Sequence, residues 1–227
     1  LEIEPIKVKG LYLSFWGANP KTKTFNNAMQ LIETTEANAL VLDVKSEQGH
    51  MSYKTGVKEA SAMDAHYYRT IKDMPSYMNR LKEKNIYTIA RIVCFKDELS
   101  ATNHPDRAVK RADGTVWRNA AKMAWVDPFN PDAQDYIISI AVDAAKQGFD
   151  EVNFDYVRFP AKDDLLFSQE NNQENRLKAI SHFIKKSVAS SSSLWRLFVC
   201  RHLRLCCMEH KKRHQHRSPD RRACQTR

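Results

Sequence analysis

Glycine is scarce, with six residues in 227, and none forms G-x-G-x-x-G after the first strand-like run or G-x-x-x-x-G-K anywhere. Both patterns cradle phosphates, so their absence argues against a nucleotide site at the usual place. No run of eighteen apolar residues occurs, which excludes a membrane-spanning helix. Leu1 is neither an initiator methionine nor the start of a secretory signal, so the chain reads as beginning at a cut edge. Charge of one sign is also missing from most of the chain. The net +9 is concentrated in residues 188–227, where ten Lys or Arg face only Glu209 and Asp220. The first 187 residues are nearly neutral and do not read as a polyanion binder.

What is present before residue 188 is an alternation of strand-like and helix-like segments. "KGLYLSFWG" (9–17), "NALVLDVKSEQG" (38–49), "IYTIARIVCF" (86–95) and "GFDEVNFDYVRFP" (148–160) read as strands. Residues 24–36 predict a helix capped by Thr24, with Phe25, Ala28, Leu31 and Ile32 on one face. Residues 70–85 predict another, with a stripe of Ile71, Met74, Met78 and Leu81. The 130–148 segment has an Asn-Pro start, apolar positions at Ile137, Ile140, Ala141 and Ala144, and a Gly stop. Residues 169–187 predict a fourth helix, and Asp113-Gly114 a turn within a longer insertion. Strand–helix four times over predicts an α/β fold with a parallel sheet, its strands apolar on both faces. Four units fit a doubly wound sheet or the first half of a TIM (β/α)8 barrel. Without phosphate-binding glycines, the barrel is the better reading.

In either architecture ligands meet the carboxyl ends of the strands. Those ends collect Trp16 after the first strand, Asp43 and Lys45 on the second, Arg91, Lys96 and Asp97 on the third, and Asp155, Tyr156 and Arg158 on the fourth. The insertion adds Trp125 and Asp127. Aromatic faces beside carboxylates suit a sugar, whose C–H faces stack on rings while its hydroxyls form hydrogen bonds. Each residue also has a structural reading. Asp43 and Asp127 fit turn or helix caps; Lys45, Lys96 and Asp97 fit solvated loop charges. Arg91 fits an ion pair with Asp43 or Asp155 inside a barrel, and Trp16 and Trp125 fit core packing. Asp155 is the exception, because a turn cap there would leave Tyr156 and Arg158 unexplained.

Five segments in order, "ANALVLDVKSEQGHMSY", "IYTIARIVCFKD", "AVKRADGTVWR", "AWVDPFNP" and "GFDEVNFDYVRFP", resemble the successive motifs of a bacterial glycoside hydrolase domain family. That family was long catalogued as a domain of unknown function and is assigned to the (β/α)8 glycosidases. The resemblance spans about residues 7–186. It implies a carbohydrate substrate, with cell-envelope polysaccharide among the candidates, a secreted or cell-surface setting, and no cofactor or metal. In amylase-like and melibiase-like barrels the aspartate ending the fourth strand is the nucleophile, and Asp155 occupies that place. An arginine beside it, Arg158 or Arg91, would favour its charged form. Asp43, Lys45, Arg91, Trp125, Asp127, Tyr156, Arg158 and Trp16 become the substrate-binding candidates. The acid/base partner would come from a later strand.

The resemblance stops after Ser187, where a basic tail with four of the five cysteines and four of the eight histidines begins. Its Cys206-Cys207…His216 run fits a zinc site only loosely. A shifted reading of codons permissible for Leu194 to His216 encodes an apolar strand ending in an aspartate, so residues 188–227 read as an out-of-frame, disordered segment. Residues 1–187 then form a partial barrel, expected to be an inactive fragment on its own. Two alternatives stand beside the hydrolase: a carbohydrate-binding barrel without turnover, and generic nucleic-acid binding through the tail.

Overall fold

The computed structural model describes residues 7–191. Residues 192–227 lie outside the described residues, and with them the loose zinc-like run, the out-of-frame reading and the nucleic-acid alternative. Four strands, β1 (Gly10–Leu13), β2 (Ala39–Lys45), β3 (Tyr87–Val93) and β4 (Glu151–Asp155), form one sheet in the order β1-β2-β3-β4. Every neighbouring pair is parallel. Helices α1 (Lys23–Thr34), α2 (Lys58–Ala62), α3 (Met74–Glu83), α4 (Glu98–Asn103), α5 (Pro131–Gln147) and α6 (Gln173–Ser191) alternate with the strands. This is the order and direction of four consecutive βα units of a (β/α)8 barrel.

Parallel pairing puts registered residues on one face. Leu13, Leu42, Ala90 and Val152 are in register and buried, and α1, α3 and α5 pack against the sheet. The opposite face differs from the expectation of apolar strands on both sides. It carries Tyr12, Val41, Arg91, Asn153 and Asp155, all partly exposed. Covering helices demand apolar side chains, and a barrel's inner face at the rim does not.

Local chemistry places the helix starts. The Thr22 hydroxyl accepts from the Phe25 N–H at 3.2 Å, so α1 begins before the expected cap Thr24. Its buried stripe is Phe25, Ala28 and Met29, while Leu31 is exposed. Asp73 caps α3, leaving Ile71 in the core ahead of the helix. Asn130 caps α5 with Pro131 in the first turn, and Gly148 closes it at φ 93°. Asn172 accepts from the Asn175 N–H at 2.9 Å, and α6 runs on through Ser191, past the expected end at 187. The insertion between β3 and α5 is an irregular hairpin pinned by isolated bridges, among them Ala108 to Val126, Arg118 to Ala124 and Lys110 to Leu166. Its tip is the expected Asp113-Gly114 turn, where the Arg111 N–H donates to the Thr115 carbonyl at 2.8 Å.

The loop after β2 contains a buried histidine. The His66 Nε2 accepts from the Thr55 N–H at 3.1 Å, and burial, helped by Lys54 and Arg69, holds its pKa below 6.5. The unfolded chain therefore binds the proton more tightly than the folded one. His66 contributes stability that is present above pH 6.5 and lost as pH falls through the lower folded value. Unfolding free energy measured in urea should drop between pH 7 and 5. His66→Gln, which keeps an acceptor but does not titrate, should flatten that slope.

Candidate active site

The carboxyl ends of the strands converge on one guanidinium. Asp43 and Arg91 are in register across β2 and β3, and β4 brings Asp155 alongside, level with Val93. Arg91 Nη1 donates to Asp43 Oδ1 at 2.6 Å, while its Nε and Nη2 donate to Asp155 Oδ2 at 3.0 and 2.6 Å. Burial alone would lower the arginine's pKa, but hydrogen bonds and charge from Asp43 and Asp155 more than offset it, and the net direction is upward. The guanidinium stays charged throughout.

The two carboxylates differ in access. The Asp43 side chain is 7% exposed and also accepts from the Tyr12 hydroxyl at 2.7 Å and the Phe15 N–H at 3.1 Å. The Asp155 side chain is 42% exposed, and its Oδ1 accepts from the Tyr156 N–H at 2.6 Å. Burial first, then the hydrogen bond and charge of Asp43, push the Tyr12 phenol up to about 12, so it remains a donor at neutral pH. Tyr156 sits at φ 53°, a left-handed conformation that costs a bulky residue about 1–3 kcal/mol. The turn carries the chain off the sheet immediately after Asp155.

The other candidates separate into groups. Arg158 does not reach Asp155; its Cζ lies 5.1 Å from the Trp125 ring and 5.4 Å from the Tyr156 ring. The arginine beside Asp155 is Arg91. Lys45 is 0% exposed, with its Nζ 2.8 Å from Asp97 Oδ2 and 2.7 Å from the Val93 carbonyl. It braces the rim from beneath and offers no surface to a substrate. Lys96 is buried and ion-paired with Glu47. The reading of Lys45, Lys96 and Asp97 as solvated loop charges is thus overturned. For Lys45 the cause is a β-bulge between Asp43 and Lys45 that turns the end of β2 inward, while Asp97 is consumed by Lys45 and the α4 cap, and Lys96 by Glu47. Asp127 is buried and accepts from the Phe129 and Ser168 N–H groups at 2.9 and 2.6 Å, the turn role rather than an open carboxylate. Trp125 is buried, edge-on to Tyr156 at 5.8 Å. Trp16 is 62% exposed and lies edge-on to Phe15 and Tyr68, so it is not a core residue.

Sequence reasoning missed Tyr12, although it lies two residues before Ser14 on a strand whose alternation points it to the Asp43 side. It also missed Tyr67 and Tyr68, exposed beside Trp16 in a loop without periodicity.

A parallel α/β rim that presents a half-exposed aspartate held by arginine, with aromatic residues alongside, invites comparison with known proteins. The family described as "Putative glycosyl hydrolase domain" matches residues 10–194. The chain belongs to that family. A hypothetical protein from Ruminiclostridium thermocellum is 30% identical with a TM-score of 0.69, over 78% of this chain and 92% of that one. A GH31 family sulfoquinovosidase from E. rectale, in complex with an aza-sugar inhibitor, is 14% identical with a TM-score of 0.54; 82% of this chain covers 28% of it. An uncharacterized protein from Listeria monocytogenes, in complex with α- and β-D-glucose, magnesium and calcium, is 15% identical with a TM-score of 0.55, covered over 20% of its length by 82% of this chain. The last two similarities show the fold, and this chain spans less than a third of either protein. Among curated proteins none matches by sequence.

Within this glycosyl hydrolase domain the half-buried Arg91 and the buried Lys45 have separable roles. Arg91→Lys keeps the charge but cannot bridge two carboxylates, so it should cost roughly 1–3 kcal/mol by urea denaturation. Lys45→Met strands Asp97 as a buried charge and should cost about 3–5 kcal/mol. Adding Asp97→Asn, which retains an acceptor for the Ser100 N–H at the start of α4, should recover part of that loss.

Proposed function

We propose that the domain hydrolyses O-glycosyl bonds of a polysaccharide, with Asp155 as the group that attacks or exchanges protons at the anomeric centre. The observation that carries this reading is the state of Asp155: half-exposed at the end of β4, with one oxygen held by two Arg91 donors. Fixing a carboxylate through a guanidinium leaves it little rotational freedom to lose on attack. Trp16 and Tyr12, exposed on the same rim, fit the apolar faces of a pyranose. Family membership adds the chemical class. Arg91 is a positioning residue, and Lys45 and Asp127 support the rim without touching sugar.

Hydrolysis of an ordinary glycoside needs a second carboxyl group. The other rim carboxylates are committed, Asp43 to three donors and Glu47 to Lys96. The acid partner in this reading comes from outside residues 7–191. That commitment is also the observation favouring the second reading, a carbohydrate-binding barrel without turnover. Activated substrates separate the two, because a 2,4-dinitrophenyl glycoside leaves without protonation. A partial barrel without its acid partner, expected to be inactive on ordinary glycosides, should still release dinitrophenolate from a matching member of a glycoside panel, and Asp155→Asn should slow release by about 10²–10⁴-fold. Release unchanged in the variant removes Asp155 from the chemistry. Glycan binding equal in both proteins, with no release from either, establishes the binding barrel instead.

A further inference from the structure

Beside the rim lies a cavity of about 550 Å³ between the irregular hairpin and the loop that follows β4. Its size is that of a small-ligand site. Arg111, Arg118, Arg158 and Lys162 line it, with Trp117 and Trp125 forming buried walls. Such a concentration of cations is unexpected in a region whose overall charge is close to zero.

The compensation of these charges is uneven. Arg118 is neutralised by Glu98 Oε1, at 2.9 Å from its Nε and 2.7 Å from its Nη2. Among the described residues no carboxylate lies within ion-pair distance of Arg111, Arg158 or Lys162. Asp113, two residues from Arg111, is turned onto the N–H and hydroxyl of Thr115. Asp163 and Asp164 follow Lys162 in the chain but do not line the cavity. Arg158 is held in place by stacking on Trp125 and Tyr156 rather than by an acid.

The polar inventory is equally one-sided. The Trp125 indole N–H is buried and has no acceptor among the described residues, and being closed to solvent it is a wall of the cavity rather than one of its donors. Asn119, the lining side chain with an acceptor oxygen, uses one of its two lone pairs on the Met123 N–H at 3.0 Å. The side chains around the cavity are therefore predominantly donors, and every charged one is a cation. Sugar hydroxyls both donate and accept, whereas an oxyanion only accepts. A lining whose charged side chains are all cations favours the oxyanion.

We propose that this cavity is a subsite for an anionic group, a carboxylate or sulfate carried by a unit of the glycan, and that Arg158 and Arg111 are its principal ligands. The proposal rests on the glycan reading and makes the substrate an acidic polysaccharide. Tyr156 links the two places, since it follows Asp155 directly and its ring meets Trp125 and Arg158. A sugar at the cavity and a bond at Asp155 would belong to neighbouring positions along one chain.

Calorimetry on the full chain tests this with inorganic sulfate, tetragalacturonate and its methyl ester, all at matched ionic strength in chloride. Sulfate and the tetragalacturonate should bind, the ester at least about tenfold more weakly than the acid, and Arg158→Gln with Arg111→Gln should weaken both anions about tenfold or more. The Trp125 indole N–H resonance should shift on sulfate addition in the parent chain and not in the double variant, which also reports whether that variant is folded. Ester bound as tightly as acid overturns the anionic subsite and leaves the glycan reading standing. Sulfate bound through Arg158 with both oligosaccharides ignored overturns the acidic-glycan assignment together with the reading beneath it. Full anion affinity in the folded double variant overturns the proposal outright.

Discussion

Arg91 ties three strands together through side chains as well as through the sheet. Its five N–H donors are planar and fixed, so Asp43 and Asp155 must both lie in the guanidinium plane, on opposite edges of it. That requirement holds β2, β3 and β4 in one register at their carboxyl ends. A half-buried arginine alone would be costly, and a buried aspartate beside a half-exposed one would repel it. Together the three groups set one guanidinium between two carboxylates, only one of which solvent readily reaches. The geometry thereby separates a structural carboxylate from an accessible one, although both are aspartates at the end of apolar strands.

Beneath this rim a second, wholly buried pair performs a different task. The bulge after Asp43 turns Lys45 inward, where Asp97 meets it from the start of α4. Asp97 answers two demands at once, since its other oxygen caps α4 through the Ser100 N–H. Gly49 belongs to the same arrangement. It sits at φ 94°, and a Cβ there would collide with the Asp97 carboxylate and with Leu99. The loop after β2, the bulge and the first turn of α4 are thus one packed unit, which fixes the height at which Asp43 meets Arg91.

These details explain which parts of the molecule were legible in the sequence. The four strands and the four longer helices were, because apolar runs such as 39–42 and stripes such as those of α5 leave few other solutions, whereas the short α2 and α4 carry no such pattern and were not. Their ends were less so, because a single side chain decides them, as Thr22 and Asp73 do. Asp43, Arg91 and Asp155 could be picked out as polar residues terminating buried strands. The choice between Arg91 and Arg158 as the partner of Asp155 could not, since it depends on register across β3 and β4. Nor could the burial of Lys45, which depends on one extra residue in β2. Asp127 carried the right residue type at a strand-like end, but one of the two backbone N–H groups that consume it, that of Ser168, lies 41 residues further along the chain.

The division between the two arginines has a further consequence. Because Arg91 already satisfies Asp155, Arg158 is left beside two aromatic rings, its Cζ 5.1 Å from that of Trp125 and 5.4 Å from that of Tyr156, with no carboxylate among the described residues at ion-pair distance. The positive φ at Tyr156 makes this separation possible by turning the chain sharply between Asp155 and Arg158. An extended residue there would continue the strand and leave both side chains tied to the sheet. Instead an acidic rim and a cationic cleft stand on either side of one phenol ring. Charges of opposite sign so close together lie within about one Debye length, so each field reaches a ligand bound at the other. A neutral ligand would gain nothing from that polarity, whereas a chain with its anion in the cleft would be oriented with respect to Asp155 before any bond to it is strained.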